Sequence, residues 1–189
     1  MIDFRVSQFD NVSGDWLVIQ SGVTAHKYSQ TQLTKGGSYQ FRVEARNLIG
    51  FSTPSDPVQI LVATVPATPA QPQTATVVND LVVSWEAPVS DNGAAISGYS
   101  VFVRTASGLQ QLPQCSSQLE LECSVPLSTL LETPYQLIEG QSVYCAVQAV
   151  NSIGASSISS EGNGALLVLS RAPSEPFGLS KESELTTTT

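Results

Sequence analysis

Residues 36–55 read GGSYQFRVEARNLIGFSTPS, and residues 140–159 read GQSVYCAVQAVNSIGASSIS. Nine positions coincide at a constant spacing of 104 residues: Gly36/Gly140, Ser38/Ser142, Val43/Val147, Ala45/Ala149, Asn47/Asn151, Ile49/Ile153, Gly50/Gly154, Ser52/Ser156 and Ser55/Ser159. Identity at a fixed period marks a chain of repeated folding units. The register continues through Pro69/Pro173, Pro72/Pro176 and Leu81/Leu185. The 189 residues therefore divide into 1–63, a unit lacking its first two strands; 66–171, a complete unit; and 172–189, the first strands of a further unit and a candidate donor segment.

Within the complete unit the apolar period is two. Leu81, Val83 and Trp85 alternate with Val82 and Ser84; the turn Asp91-Asn92-Gly93 follows; then Tyr99, Val101 and Val103 alternate, and later Val143, Cys145, Val147 and Ala149. Short alternating segments separated by turn residues, in roughly a hundred residues, predict two packed antiparallel sheets. The expected class is all-β.

Composition narrows the function. Only 13% of residues are charged and the net charge is −8, with eight Lys and Arg scattered along the chain, so the clustered cations of a nucleic-acid surface are missing. No segment approaches the ~18 apolar residues of a membrane-spanning helix, and MIDFRVSQFD lacks the cationic flank and apolar stretch of a secretory signal.

Three motifs carry a resemblance. Leu81-x-Val83-x-Trp85-x-x-Pro88, Ile96-x-x-Tyr99-x-Val101, and Val147-x-Ala149-x-Asn151-x-x-Gly154-x-Ser156 resemble the fibronectin type III module, and the first unit matches at Tyr39-x-Phe41-Arg42-Val43-x-Ala45-x-Asn47-x-x-Gly50-x-Ser52. The resemblance implies tandem immunoglobulin-like sandwiches, with Trp85 in the core and Tyr99 packed beside it. It also implies that Tyr39 is a corner tyrosine whose hydroxyl ties down the turn before its strand. The second unit departs here, with Val143 at the corner position and Tyr144 one step off, facing outward. Residues 110–137 are longer than the family pattern and contain two of the three cysteines.

Cys115 and Cys123 bracket a nine-residue segment suited to stapling a hairpin, a closure worth about 2.5 kcal/mol by loop entropy. In that segment Leu119 and Leu121 share the parity of Cys123, while Glu120 and Glu122 face solvent. Cys145 occupies the inward position that Phe41 holds in the first unit and reads as a buried thiol. A Cys123–Cys145 bridge and three free thiols are the alternatives. A bridge implies an oxidising compartment.

No CxxC or His-rich tract is present, so neither a metal nor another cofactor is expected. His26, the single histidine, reads as a solvent-facing strand residue; with no second histidine and no nucleophile-elbow motif, the chain is not expected to be an enzyme. Asn11-Val12-Ser13 is an N-glycosylation sequon in an expected turn, so glycan is a candidate modification.

The first unit begins at Ile2-x-Phe4-x-Val6, taken to correspond to Tyr99-x-Val101-x-Val103. Its inner face of Phe4, Val6, Phe41 and Val43 then has no strand of its own unit across it, and an open strand face is a template for pairing. Leu185, Thr187 and Thr189 fall on Leu81, Val83 and Trp85 at the repeat spacing, preceded by Phe177 and Leu179. The expected partners are other copies in head-to-tail strand complementation, or neighbouring units of a longer array; no nucleic acid and no membrane span are expected.

The resemblance implies a structural or adhesive protein, extracellular or at the cell surface, whose units form an extended array or filament. A ligand-binding receptor ectodomain, spacer units of a larger secreted enzyme and a ciliary scaffold are the alternatives. Reduced cysteines mark the last of these.

Overall fold

In residues 1–63, alternation puts Phe4, Val6, Phe41 and Val43 on one face and Asp3, Arg5, Arg42, Glu44 and Arg46 on the other. The computed structural model describes residues 1–171 and forms here β1 (Asp3–Phe9), β2 (Trp16–Val23), β3 (Ser38–Arg46) and β4 (Val58–Leu61). They make one antiparallel sheet in the order β2-β1-β3-β4. Among the described residues no second sheet lies across it.

The segment from 66 onward builds β5 (Gln73–Val77), β6 (Asp80–Ser84), β7 (Ile96–Thr105), β8 (Gly108–Gln118) and β9 (Glu122–Pro126). It continues with α1 (Leu127–Leu131), β10 (Ser142–Val143), β11 (Cys145–Asn151) and β12 (Ala165–Leu166). The sheets β5-β6-β9 and β11-β7-β8 enclose one core, with β10 and β12 paired beside them. Leu81, Val83 and Trp85 face Tyr99, Val101, Val103 and Val147 across it, all buried. Each such side chain contributes about 1.5–3 kcal/mol on leaving water. The Trp85 and Tyr99 rings meet at 5.6 Å between centroids, tilted by 59°.

The repeated residues have a common physical task. Asn151 Oδ1 accepts the Ile153 and Gly154 amides at 2.9 and 3.1 Å, and Asn47 Oδ1 accepts those of Ile49 and Gly50 at 2.8 and 3.1 Å. Beyond these turns, Ser156 and Ser159 Oγ accept the Ala149 and Val147 amides, as Ser52 and Ser55 Oγ accept those of Ala45 and Val43. The serines thus satisfy strand donors where no neighbouring strand runs alongside.

Several expectations need correction. Across the ladder from β3, Phe4 stands opposite Ala45, and across from β11, Tyr99 stands opposite Ala149. Phe4, not Ile2, is therefore the counterpart of Tyr99; the two-residue error leaves every side chain on the expected face. Residues 24–34 form no strand, because the matching strand β9 is held by β6, which has no counterpart in 1–63. His26 consequently lies in a bend, its ring edge-on to Phe4 at 5.6 Å. The short helix α1 was not foreseen; it follows Pro126 and buries Leu127 and Leu130, an i, i+3 pair hidden within a strand-rich context. Residues 172–189, including Phe177, Leu179, Leu185, Thr187 and Thr189, lie outside the described residues.

Candidate interaction surfaces

Cys115 in β8 and Cys123 in β9 are disulfide-bonded, with Cα atoms 5.7 Å apart. These strands are edges of opposite sheets, so the bond is an arch between sheets and not the staple of a hydrogen-bonded hairpin. Residues 119–121 turn the corner between the sheets, which leaves Leu119 and Leu121 63% and 42% exposed despite sharing the parity of the buried Cys123. Cys145 is free and buried in the core. Burial, with a smaller contribution from the Glu161 charge, pushes its thiol up to about 12. No nucleophilic thiolate is available there at neutral pH.

The polar face of the β2-β1-β3-β4 sheet is a layered stack. Arg5 donates from Nε and Nη2 to the Glu44 carboxylate at 2.7 and 2.6 Å, directly across the ladder. Arg46 makes the same two-pronged contact with Asp3. The Arg5 guanidinium lies 4.0 Å from the Phe51 ring centroid, and that of Arg42 lies 4.4 Å from Trp16, which in turn meets Phe9 edge-on. The Arg5 hydrogen bonds hold the Glu44 carboxyl below its ordinary range. Sequence reading passed over this face; the alternation of Asp3-x-Arg5 against Arg42-x-Glu44-x-Arg46 was the signal available.

The opposite face is open. Val6, Tyr28, Leu33, Phe41, Val43 and Ile60 line a groove of about 320 Å³. Tyr39 sits at the neighbouring edge, where its hydroxyl oxygen accepts the Thr34 amide at 3.0 Å and pins the preceding turn. Asn11 lies in the exposed turn between β1 and β2, ordered by Asp10, whose carboxylate accepts the Val12 amide and the Ser13 hydroxyl and is lowered by them. Among the described residues no group of three or more His, Cys, Asp or Glu side chains is placed to hold a metal ion, and no helix is long and apolar enough to cross a membrane.

Two sheets with Trp85 and Tyr99 between them, closed by the Asn151-x-x-Gly154-x-Ser156 turn, decide the kind of unit. The fold is that of a fibronectin type III or immunoglobulin-like sandwich. The chain is 33% identical over 125 residues to the fibronectin type-III domain-containing protein 3a of Gallus gallus, covering 65% of this chain and 9% of that protein. Against Myomesin-2 of Homo sapiens it is 40% identical over 78 residues, 38% of this chain and 5% of the relative. The chain thus spans less than a tenth of the length of these relatives. Domains A168–A170 of titin superpose with a TM-score of 0.56 at 18% identity, over 88% of this chain and 55% of that one, a likeness of fold. No family model matches. What the chain shares with these proteins is a modular, domain-built organisation.

Proposed function

We propose that this chain is a non-enzymatic stretch of an extended array, working outside the cell or at its surface as spacer and adhesive body. The Cys115–Cys123 bond carries the reading: an oxidised pair joining the two sheets of a sandwich belongs to an oxidising compartment. Thiol counting on native material tests it. One thiol, titrating only after unfolding, supports the reading; three thiols replace it with a reducing-compartment scaffold of the same modules.

Association of copies follows from the open groove. In the second module the equivalent face is covered by β6 through Leu81, Val83 and Trp85. The occupant proposed for the first is residues 177–189 of another copy, whose Leu185, Thr187 and Thr189 share that spacing. A contact of this kind does not close on itself and yields filaments. Light scattering across concentration, with and without residues 172–189, is the check: concentration-dependent growth lost on truncation supports the proposal, and a strict monomer overturns it.

A further inference from the structure

The link between the two modules is hydrogen-bonded along its length. Val62 pairs in both directions with the Gly36–Gly37 turn, accepting the Gly36 amide and donating to Gly37 O, each at 2.9 Å. Two residues on, the Thr64 amide donates to Asn92 O at 3.1 Å, and the Ala67 amide donates to Ser90 O at 2.9 Å. The chain therefore passes from a turn of the first module to a turn of the second as a continuous strand-like bridge.

Two side chains lock that bridge. Asn92 donates from Nδ2 to Val65 O at 2.8 Å and accepts Lys35 Nζ, from the first module, at 3.2 Å. Buried Asn151 donates from Nδ2 to Thr64 O at 2.8 Å, and to Asp91 O and Ala94 O in the same turn as Asn92. Its repeat partner Asn47 makes the two acceptor bonds that shape the turn, but its Nδ2 has no hydrogen bond among the described residues. Of the three donor contacts of Asn151, the one to Thr64 O reaches the link, while those to Asp91 O and Ala94 O tie it to the turn that carries Asn92. Glycines complete the fit. Gly93 has φ +92°, and a Cβ there would strike the Gly36 backbone and come within 2.8 Å of Val62 O; a Cβ on Gly154 would meet Val65 Cγ1 at 3.2 Å.

We infer that Asn92 and Asn151 are positioning residues that hold residues 62–65 as a rigid bridge and so fix the orientation of one module against the next. This rests on the array reading and adds that the array is stiff at this joint. Asn92 has φ 56°, so Asn92→Gly removes the side chain without a backbone penalty, and Gly93→Ala inserts the clash. Gly108→Ala is the control: it also has positive φ in the second module, with open space around its Cβ.

Residual dipolar couplings and amide exchange on the full chain provide the test. In the wild type and in Gly108→Ala, couplings from both modules fit one alignment tensor. In Asn92→Gly and Gly93→Ala they require two, and the Thr64 amide exchanges at least about tenfold faster while the Val147 amide is unchanged. A wild type that needs two tensors, or variants that both keep one, overturns the inference; either result leaves the spacer reading to its own thiol test.

Discussion

Val43 and Glu44 are neighbours in β3, yet the carboxylate is the buried one, 6% exposed against 44% for the valine. Arg5 bonds the Glu44 carboxylate while stacking on Phe51, so the polar face covers itself. On the apolar face Val6 is 6% exposed but Val43 is left open, so at the Val43–Glu44 pair burial is the reverse of what side-chain polarity alone dictates.

Acid should loosen this face. Glu44 has a folded carboxyl value below its ordinary one, because Arg5 bonds the charged form, so the unfolded chain takes up the proton more readily. The stabilisation is present above about pH 4.3 and is lost as pH falls through the lowered folded value. Glu44→Gln should remove the dependence, read from the Trp16 indole NMR signal between about pH 5 and about pH 2.

Trp85→Ala should destabilise the second module by about 3–5 kcal/mol, through lost burial and the cavity beside Tyr99. Urea unfolding followed by far-ultraviolet circular dichroism measures it. A cost below about 1 kcal/mol would remove Trp85 from the core.

The two serines at one repeat position should differ. Ser156→Ala leaves the Ala149 amide buried without an acceptor and should cost about 1–3 kcal/mol. Ser52→Ala exposes the Ala45 amide to water and should cost no more than about 0.5 kcal/mol. Native-state hydrogen exchange in each module separates the two.

Reduction of Cys115–Cys123 should lower stability by about 2.5 kcal/mol, the entropy of the short closed loop. Cys145 should resist alkylation until the module unfolds, since burial keeps it protonated. Mass spectrometry after iodoacetamide treatment, native and denatured, reads both.

Much of this was legible in the chain because two-residue alternation and a fixed repeat spacing are local signals. The placement of Trp85, Tyr99 and the Asn151 turn needs only those. The ion-paired stack was not legible, because pairing Arg5 with Glu44 requires the register of two strands 39 residues apart. The exposure of Leu119 and Leu121 escaped for a related reason: parity holds within a strand and fails where the chain crosses between sheets. Asn92 reads as an ordinary turn residue until the preceding module is set beside it.

The arch between Cys115 and Cys123 also bears on tension. If the second module is pulled out to full length, the bond shunts the load past residues 116–122, and the oxidised chain reaches roughly 20 Å less contour than the reduced one. Redox state would then register as a step in a single-molecule extension trace, and the same arch would set how far this module can yield before its neighbours take up the force.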